Sequence, residues 1–501
     1  MRVVLVAPRF NEMVNSYPPL GLGYLAAVLE RAGHTVTIHD MGLDPGVPFT
    51  DHVAAILADE PDLIGATAMT NNFYSMSEVL ELLRGRWDGP VVLGGPHATL
   101  FPERVLRDES IDYVIYGEGE ETLLELVTLL QATGREPSPE QLAGIEGLAW
   151  LREGAPVVNP ARELIADLDS LPMPARHLYD LDRYPLYASN GEPMVTVLSS
   201  RGCPYNCAYC FKGIVGRTYR ARSSENLIAE LRYLVDTYGY RHFYFIDDLF
   251  TMQRSLLRET TAMIIDEGLD IRWQCLARVD RVVRGDLEAM YRAGCREVHF
   301  GIESGNPEIL ESIGKQITME QVRQAVAWAD EIGIAAKGYF MLGLPGDTEE
   351  TMQQTIDFAC ELPLDQAMFS LTTPFPGTRL WSELVARQPD VADDQDFSKA
   401  FYYTQNTDVI TPFFNVSEVS DERLSELMFE AQAAFQESIR KKKYERLLSR
   451  PLGKLLYGLS TNRWLRRAGH SFLARTGLGQ KGRLRSMAGY DWKAEKVDKW
   501  K

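Results

Sequence analysis

Arg201-Gly-Cys-Pro-Tyr-Asn-Cys-Ala-Tyr-Cys210, which we call the cysteine loop, carries three cysteines with the spacing C-x3-C-x2-C. An aromatic residue, Tyr209, directly precedes the third cysteine. Cys203, Cys207 and Cys210 therefore offer three closely spaced thiolates with no adjacent fourth, whereas an electron-transfer ferredoxin supplies four. Three thiolates suit a cubane [4Fe–4S] cluster that keeps one iron open, and an open coordination site is where a catalytic metal centre binds its substrate.

Two other uses of these cysteines remain open from the residues alone. They are a structural zinc site completed by a distant histidine such as His242, and a buried place in the hydrophobic core. The other cysteines, Cys275, Cys295 and Cys360, are far apart and form no second C-x2-C pattern. They argue against a disulfide framework and against a second cluster, and such cysteine usage is typical of the reducing cytoplasm.

The composition is that of a globular protein with more than one domain. The chain has 501 residues, of which 45% are hydrophobic and 24% charged, so each domain can build a core. The apolar run at residues 1–8 is too short for a signal peptide, and no stretch approaches the ~20 apolar residues that span a membrane. We therefore expect a cytoplasmic protein of two or three domains.

The net charge of −18 hides a strong asymmetry along the chain. Residues 440–501, the basic tail, contain 18 Lys and Arg and 4 Asp and Glu, a net charge of +14, whereas residues 1–439 carry −32. Such a tail meets an anionic surface or docks on the acidic body. We expect peripheral contact with the inner face of a membrane, and no nucleic acid.

Residues 1–135 alternate between short apolar strands and amphipathic helices. Five such units predict a Rossmann-like, doubly wound parallel sheet whose ligand sites lie in the loops after the strands. Gly94-Gly95 and Gly117-Glu-Gly119 fall in those loops, where glycine lets the backbone approach a ligand. Residues 136–190 are rich in proline and glycine and are expected to form a linker with a hairpin at residues 147–158.

A second alternating series occupies residues 191–387 and contains six predicted strands. Six β/α units predict a partial (β/α)6 barrel of the TIM type, with the active site at the C-terminal ends of its strands. The cysteine loop follows the first of these strands, so we expect it at the barrel mouth. Residues 388–501 are expected to form a mostly helical C-terminal region that includes the basic tail.

Polar residues follow the other barrel strands, where a barrel positions its chemistry. They are Asp247 and Asp248 after the second strand, Arg278 after the third, Glu303 and Ser304 after the fourth, Tyr339 and Gly343 on or after the fifth, and Thr373–Thr378 after the sixth. Each alone is compatible with a helix cap, a surface charge or a turn. Their order, one set per strand, favours an active site.

The cysteine loop resembles the signature of the radical S-adenosylmethionine (radical SAM) superfamily, and residues 1–390 resemble its cobalamin-dependent family, in which a cobalamin-binding domain precedes the barrel. The matching segments are Pro18-Pro-Leu-Gly-Leu-Gly-Tyr24, Gly94-Gly-Pro-His97, Gly117-Glu-Gly-Glu120, the cysteine loop, Asp247-Asp248, Arg278, Gly301-Ile-Glu-Ser304 and Pro374-Phe-Pro-Gly377. Within the family, the chain is most similar to the anaerobic magnesium-protoporphyrin ester cyclase and hopanoid-modifying branch. The resemblance implies three cofactors: a [4Fe–4S] cluster, S-adenosylmethionine and cobalamin.

The resemblance also implies roles for individual residues. The cluster ligands would be Cys203, Cys207 and Cys210. The S-adenosylmethionine contacts would be Tyr209, Arg278 at the carboxylate, Glu303 at the ribose, Ser304, and Gly343 near the adenine. The cobalamin contacts would be Thr67, Thr70, Asn71, Gly94, Gly95, His97, Gly117, Glu118 and Gly119. The candidates for catalysis and substrate contact are Asp247, Asp248 and Tyr339.

The motif D-x-H-x-x-G, whose histidine replaces the corrin's own base on cobalt in cobalamin domains of the methionine-synthase type, does not occur in this chain. His34, His39 and His97 all lack its spacing. We therefore expect cobalamin to bind without a protein histidine ligand, with its lower face covered by the loop of residues 67–73. His97 is expected to form hydrogen bonds within its own loop.

The resemblance implies methyl transfer from methylcobalamin to an unactivated carbon, from which a 5′-deoxyadenosyl radical has removed hydrogen. Two alternatives remain open: cyclisation, ring contraction or oxidation of a lipid or tetrapyrrole, and a non-enzymatic cobalamin sensor with a structural cluster. A methylthiotransferase would need a second cysteine trio in its N-terminal half, and no cysteine precedes Cys203. The expected partners are a small-molecule or lipid substrate and an electron donor such as flavodoxin or ferredoxin.

Overall fold

A computed structural model describes residues 1–10, 14–392, 396–400 and 411–449 of the chain. Two largely parallel sheets flanked by helices make up most of these residues, which confirms the predicted α/β class. In this described part of the chain, no helix has both the length and the apolar character needed to cross a membrane.

The first sheet has seven strands. They are β1 (Arg2–Ala7), β2 (Thr35–Asp40), β3 (Leu63–Thr67), β4 (Val91–Gly94), β5 (Tyr113–Ile115), β6 (Leu148–Arg152) and β7 (Ala155–Val158). The helices of this half are α1 (Leu20–Arg31), α2 (Phe49–Ala58), α3 (Phe73–Arg84), α4 (Gly95–Leu100), α5 (Pro102–Val105), α6 (Glu120–Ala132) and α7 (Pro139–Ala143).

The order of this sheet is β2-β1-β3-β4-β5-β6-β7, and β1 to β5 are parallel. Because β2 and β3 lie on opposite sides of β1, the loops after β1 and β3 diverge and leave a crevice for a ligand. Residues 3–7 of β1 are all buried, since helices cover both faces. The hairpin β6–β7 pairs antiparallel with β5, so the sheet continues past residue 135, where we expected a linker to begin.

The second sheet has six strands, accompanied by a two-stranded ribbon. The six are β8 (Met194–Val197), β11 (His242–Phe245), β12 (Arg272–Ala277), β13 (Cys295–Glu303), β14 (Ala335–Leu342) and β15 (Gln366–Leu371), and the ribbon is β9 (Ser200–Arg201) with β10 (Arg220–Ala221). The helices of this half are α8 (Ser224–Tyr238), α9 (Arg254–Asp266), α10 (Arg284–Arg292), α11 (Pro307–Ser312), α12 (Met319–Ile332), α13 (Glu349–Glu361), α14 (Arg379–Arg387) and α15 (Asp421–Ser449).

The six strands are parallel and lie in chain order from β8 to β15, which confirms the predicted partial barrel. Side chains alternate along β14: Ala336, Phe340 and Leu342 are buried on one face, whereas Lys337 and Tyr339 are half-buried on the other. A closed TIM barrel fills its interior with branched apolar side chains. The second face of β14 instead presents polar side chains to the barrel interior, where they are available for binding or catalysis.

Helix α15 closes one side of the barrel. Leu424, Leu427, Met428, Ala431 and Phe435 recur every three or four residues and are all buried, so one face of the helix packs against β15 and α13. The predicted helical C-terminal region is therefore present as far as residue 449. Residues 450–501, which form most of the basic tail, lie outside the described residues.

Candidate active site

The cysteine loop begins at the end of β9 and is tied to the barrel by its backbone. The N–H of Ala208 donates to the carbonyl of Ile313 at 2.8 Å, and the N–H of Leu380 donates to the carbonyl of Ala208 at 3.0 Å. Gly202 has a φ of +83°, and a Cβ there would lie 2.3 Å from the carbonyl oxygen of Thr218, so glycine is required. The loop is thus held at the C-terminal ends of the barrel strands, where we predicted it.

The three cysteines fit an iron–sulfur cluster better than a single ion. All are free thiols; Cys203 is buried, and Cys207 and Cys210 are partly exposed. Among the described residues, no three Cys, His, Asp or Glu side chains are arranged to hold one metal ion, and a cubane is larger than an ion. His242 lies at the opposite end of the barrel, where its Nε2 is 2.7 Å from Oε2 of Glu192, so a zinc site completed by His242 is wrong.

Tyr209 and Glu303, predicted to serve the same cofactor, meet at the barrel mouth. The hydroxyl of Tyr209 donates to Oε1 of Glu303 at 2.9 Å, and Nζ of Lys315 donates to the same oxygen at 2.7 Å. Burial, reinforced by the charge of Glu303, holds the pKa of Tyr209 well above its usual value, so the phenol remains a donor. Lys315 was missed because it follows helix α11 without a recognisable motif.

Arg278 lies after β12 as predicted, but much of its hydrogen bonding stays within the protein. Its Nε donates to Oδ1 of Asp280 at 2.9 Å, and its Nη2 donates to the carbonyl of Lys315 at 2.7 Å. The guanidinium also lies 3.6 Å from the ring centroid of Tyr205, a cation–π contact with the cysteine loop. Arg278 therefore supports the loop, and its contact with a carboxylate stays a prediction.

Ser304 and Gly343 occupy the turns that end β13 and β14. The hydroxyl of Ser304 lies 3.1 Å from that of Thr355 and accepts from the N–H of Asn306. Its side chain thus faces α13 and not the cysteine loop, contrary to the predicted cofactor contact. Gly343 has a φ of +82°, and a Cβ there would lie 2.8 Å from Leu424, so this glycine lets α15 pack closely.

Asp247, predicted as a catalytic candidate, is 0% exposed. Its Oδ1 accepts from the N–H of Ser199 at 3.0 Å, from the hydroxyl of Ser199 at 2.7 Å and from the hydroxyl of Ser200. Burial raises its pKa, although these donors oppose the change. Asp247 therefore anchors Ser200 of β9, which lies three residues before Cys203. Because the carboxylate is fully buried, it makes no substrate contact from this position.

Asp248 differs from its neighbour, because its side chain is 45% exposed and its Oδ2 lies 3.6 Å from Nζ of Lys212. Lys212 follows the cysteine loop and was not predicted. Burial alone would lower the pKa of Lys212, but the charges of Cys210 and Asp248 outweigh it and raise the pKa. A cation beside the cysteines offsets part of the negative charge that the thiolates bring.

Tyr339 belongs to a hydrogen-bonded group inside the barrel. The hydroxyls of Tyr339 and Tyr244 lie 3.2 Å and 3.4 Å from Nδ1 of His299, and Nε2 of His299 lies 2.7 Å from Oε1 of Glu297. Burial raises the pKa of Tyr339, so its phenol stays protonated. The alternation of polar and apolar residues in Glu297-Val-His-Phe-Gly301 is the sequence pattern that would have identified His299.

A pocket of about 410 Å³ lies at the C-terminal edge of the first sheet, where we expected cobalamin. Its walls are mainly apolar, as in most cofactor sites, and the barrel side is closed by Leu198, Ile214, Val215 and Ile246. The predicted cobalamin contacts that line it are Thr67, Gly94, Gly95, Gly117, Glu118 and Gly119. The pocket therefore lies between the two sheets.

Two glycines that line this pocket have different structural roles. Gly95 has a φ of +89°, and a Cβ there would lie 2.4 Å from Oγ1 of Thr67, so it lets the loops after β3 and β4 touch. Gly117 has a φ of +78°, and no described atom lies within 4 Å of a Cβ built there. Its N–H donates to Oγ1 of Thr99 at 3.1 Å. Gly117 therefore leaves open space beside the backbone, which fits a bulky cofactor such as cobalamin.

His97 is not the hydrogen-bonding residue that we predicted. Both of its ring nitrogens are buried without a partner among the described residues. The ring stacks on Phe73 at a centroid distance of 3.9 Å and lies 5.1 Å from Phe101. Burial lowers the pKa of His97 to about 3, so the imidazole is neutral and acts as an aromatic packing group.

Thr70 and Asn71 complete the predicted cobalamin contacts. Thr70 lines a separate small cavity beside His97 and is not among the residues of the larger pocket. Asn71 is buried, and its Oδ1 has no partner in the described part of the chain. The neighbouring Asn72 holds the loop by accepting from the N–H of Met69 at 2.7 Å. Asn71 thus keeps one acceptor for a ligand.

The carboxylate of Glu118 is engaged by cations, although the residue lines the pocket. Its Oε1 accepts from Nη1 of Arg201 at 2.8 Å, and its Oε2 accepts from Nη1 of Arg220 at 2.7 Å. The N–H of Ile165 also donates to Oε2, at 2.8 Å. Glu118 therefore joins the first sheet to the barrel, and its contact with a cofactor stays a prediction.

Comparison with protein families gives two matches that coincide with the two sheets. Residues 9–127 match the B12 binding domain, and residues 197–359 match the radical SAM superfamily. The cysteine loop lies in the second range and most of the pocket in the first.

Two relatives and one solved structure match most of the chain. It is 37% identical over 443 residues to an uncharacterized methyltransferase of Pyrococcus horikoshii, covering 87% of this chain and 92% of the relative. It is 28% identical to the anaerobic magnesium-protoporphyrin IX monomethyl ester cyclase of Rubrivivax gelatinosus, covering 81% and 73%. The structure of the radical S-adenosylmethionine methyltransferase TsrM from Kitasatospora setae, with cobalamin and a [4Fe–4S] cluster bound, matches with a TM-score of 0.65 and 23% identity, covering 77% and 78%. This chain therefore belongs to the cobalamin-dependent radical SAM enzymes, whose cofactors are a [4Fe–4S] cluster, S-adenosylmethionine and cobalamin.

Proposed function

We propose that this enzyme transfers a methyl group to an unactivated carbon of a small-molecule or lipid substrate. The observation that carries the proposal is a shared wall: Leu198 and Arg201 at the start of the cysteine loop, and Ile214 and Val215 beyond its end, all line the pocket of the first sheet. The two cofactor sites thus open on one junction, as a reaction between groups from both sites requires. When bound, the cofactors supply the methyl group and the 5′-deoxyadenosyl radical.

In this proposal the protein binds and orients the cofactors and shields the reaction from water. Tyr209 and Glu303 lie together beside the cysteine loop and are assigned to S-adenosylmethionine. The apolar wall that includes Leu198 and Ile246 keeps water from the junction, which protects a reactive carbon radical from side reactions. The unpartnered acceptor of Asn71 and the open backbone at Gly117 are assigned to cobalamin.

The substrate is assigned to the barrel interior near Tyr339. The phenols of Tyr339 and Tyr244 both have raised pKa values, chiefly through burial, and therefore remain donors. Together with His299 they present hydrogen-bonding groups from β11, β13 and β14 of the barrel. A polar group on an otherwise apolar substrate would be oriented by these side chains, which fix the carbon to be modified.

Radical cyclisation or oxidation without methyl transfer is the second candidate. A cyclase is among the relatives, but at 28% identity against 37% for the methyltransferase of Pyrococcus horikoshii. The test is anaerobic incubation of the reconstituted enzyme with dithionite as the electron source, metabolite and lipid extracts, and S-adenosylmethionine that carries a deuterated methyl group. We expect 5′-deoxyadenosine and a product that contains the label. A new product without the label would favour cyclisation or oxidation, and no 5′-deoxyadenosine would favour the cobalamin sensor.

The electron donor is proposed to dock at Asn206, the exposed tip of the cysteine loop. Arg217 donates to the loop backbone at 3.3 Å, and Arg281 donates to a tyrosine of the loop. A Cβ at Gly314 would touch both the carbonyl of Asn206 and the guanidinium of Arg379. These arginines form a local basic patch on a chain that is acidic as a whole. Such a patch attracts a small acidic protein such as a flavodoxin or ferredoxin.

We further propose that the enzyme is cytoplasmic and peripheral to the inner face of the membrane. The support is the basic tail, in which cations such as Arg463 and Arg467 alternate with apolar groups such as Phe472-Leu473. Such a segment lies in a membrane interface with its apolar side chains in the acyl boundary. A lipid or a hydrophobic pigment is then the preferred substrate class.

A further inference from the structure

Four buried charged side chains join the first sheet to the barrel. They are Glu118 and Glu120 from the loop before α6 and from α6 itself, and Arg201 and Arg220 from the ribbon β9–β10. All four side chains are between 3% and 8% exposed. Two carboxylates and two guanidiniums balance in charge, so we call this group the interdomain ion-pair cluster.

Arg201 is the centre of the interdomain ion-pair cluster. Its Nη1 donates to Oε1 of Glu118 at 2.8 Å, and its Nη2 donates to Oε1 of Glu120 at 2.6 Å. Burial alone would lower the pKa of Arg201, but the two carboxylates outweigh it and raise the pKa. A planar guanidinium that bridges two carboxylates fixes direction as well as distance, which a lysine ammonium does not.

Fold stability alone gives little reason for such a cluster. Burying charges is costly, and a buried ion pair is often no more stable than apolar residues of the same volume. Apolar contacts already join the two halves here, because Ile38 of β2 and Leu43 pack against the hydrophobic core of the barrel. The interdomain ion-pair cluster adds to these contacts a fixed orientation of the ribbon β9–β10 relative to the first sheet.

The cluster lies between the two cofactor sites. Arg201 stands two residues before Cys203, and Gly202 between them packs closely against the backbone of Thr218, because a Cβ there would lie 2.3 Å from its carbonyl oxygen. On the other side, Glu118 and Glu120 flank Gly119 in the wall of the pocket. A shift of the guanidinium would therefore be passed to both sites.

We propose that Arg201 is a positioning residue that fixes the cysteine loop relative to the cobalamin pocket and so sets the geometry between the two bound cofactors. The inference rests on the proposed methyl transfer for one of its readouts. Group transfer between two sites is very sensitive to alignment, and a displacement of about 1 Å costs about 10²-fold in rate.

The test is Arg201→Lys, which keeps the charge and loses the bridge. The matched control is Arg176→Lys: Arg176 is 1% exposed and donates to Glu230 at 2.9 Å, but it joins the segment before β8 to α8 and has no part in the cluster. The measurements are iron content, affinity for hydroxocobalamin, and the distance distribution between the unpaired electrons of cobalt and the reduced cluster in pulsed electron paramagnetic resonance. The ratio of methylated product to 5′-deoxyadenosine is measured in parallel.

We expect Arg201→Lys to bind both cofactors, to show a broader distance distribution, and to lower the product ratio about tenfold or more. Arg176→Lys should match the wild type in both readouts. A wild-type ratio and distribution in Arg201→Lys, or an equal change in Arg176→Lys, would overturn the inference. If the wild type makes no methylated product while Arg201→Lys still broadens the distribution, the proposed function fails and the positioning role stands.

Glu120→Gln decides the matter if Arg201→Lys does not bind both cofactors. The neutral amide oxygen of the glutamine is a weaker acceptor than the carboxylate, so the bond from Nη2 of Arg201 is loosened, whereas Glu118 still pairs with the guanidinium and the fold is disturbed less. A broader distribution and a lower product ratio in Glu120→Gln support the inference. Wild-type values in both readouts refute it.

Discussion

The hydroxyl of Tyr209 donates to Oε1 of Glu303 across 2.9 Å and so joins the cysteine loop to the end of β13. Glu303 has a φ of +71°, which is uncommon outside glycine. A Cβ at Gly301 would lie 2.7 Å from the same carboxylate oxygen, so the strand end is shaped to admit this side chain. The positive φ of Glu303 and the missing side chain at Gly301 together let the carboxylate lie beside the cysteine loop.

Replacing Glu303 tests this arrangement. Glu303→Gln leaves the buried ammonium of Lys315 without its counterion, so we expect the free energy of unfolding of the apoprotein to fall by about 3 kcal/mol. S-adenosylmethionine should also bind more weakly, because the amide is a poorer acceptor for ribose hydroxyls. The measurements are urea unfolding and isothermal titration calorimetry.

Two further variants serve as controls for the Glu303 prediction. Tyr209→Phe removes the bond that the phenol donates to Glu303 and the bond that it accepts from Nζ of Lys315, and should cost about 2 kcal/mol. Lys315→Met added to Glu303→Gln removes the unpaired charge and should restore part of the lost stability. A double variant no more stable than Glu303→Gln alone would show that Glu303 and Lys315 are not energetically coupled.

The second prediction concerns the cluster ligands. Anaerobically reconstituted Cys203→Ala, Cys207→Ala and Cys210→Ala should each lose the [4Fe–4S] cluster, because no other thiolate is available in the loop. Cys360→Ala is the matched control, since Cys360 is also partly exposed but lies on α13. Iron and sulfide analysis gives the result, and loss of iron in Cys360→Ala with the fold intact would contradict the ligand assignment.

The third prediction concerns His97, whose buried ring nitrogens find no partner in the part of the chain that the structure describes. His97→Phe should raise the free energy of unfolding at pH 7.5 by about 1–3 kcal/mol, because two unsatisfied polar atoms are replaced by an apolar ring. Hydroxocobalamin should bind unchanged, and Co(II) resonance should show no nitrogen splitting from a protein histidine. Such splitting in the wild type, lost in the variant, would establish His97 as a ligand.

The same variant makes a prediction about pH. The pKa of His97 is about 3 in the folded chain and about 6.5 in the unfolded chain, so below pH 6.5 the unfolded state binds an extra proton. Stability from the neutral imidazole is therefore lost as pH falls from 6.5 towards 3. Between pH 7.5 and pH 5, the wild type should lose about 2 kcal/mol more than His97→Phe. Equal losses in urea unfolding would refute the pKa of about 3.

The two sheets and the place of the cysteine loop follow from local patterns, which is why they could be predicted. Periodicity identifies strands and helices, and three cysteines close in sequence stay close in space. The chemistry of single side chains depended on distant partners. Glu118 was expected to face a ligand, but it bonds Arg201, which lies 83 residues away in sequence. Asp247, which follows β11, accepts from Ser199, which follows β8 and lies 48 residues away.

Residues with no motif were missed for the same physical reason. Lys315 gains its role from a fold that brings it to Glu303, and nothing in its neighbouring sequence indicates this. His97 shows the opposite error: histidine in a glycine-rich loop suggested hydrogen bonding, whereas the fold surrounds its ring with Phe73 and Phe101. Sequence patterns predict the backbone conformation and the buried face of each element. The side-chain contacts between distant elements are determined only by the fold.

The fourth prediction concerns the electron donor. Arg217→Gln together with Arg379→Gln should slow reduction of the cluster by a flavodoxin about tenfold at low salt and weaken its salt dependence. Arg323→Gln is the control, because Arg323 is also exposed but lies on α12 and pairs with Glu361. Stopped-flow absorbance follows the reduction, and dithionite should reduce all variants equally. Slower reduction by dithionite in the double variant would mean that the cluster itself was disturbed.

The last prediction concerns the basic tail. Each Lys or Arg near anionic lipid contributes ~1 kcal/mol, and salt screens this attraction, so the full chain should co-sediment with anionic vesicles and be released by salt. A chain that ends at residue 449 keeps helix α15, where Nζ of Lys442 donates to the carbonyl of Leu362 at 2.6 Å, and should stay in solution. Neutral vesicles should bind neither protein. Equal, negligible binding of both to anionic vesicles would mean that the tail docks on the acidic body, and the preference for a lipid substrate would lose its support.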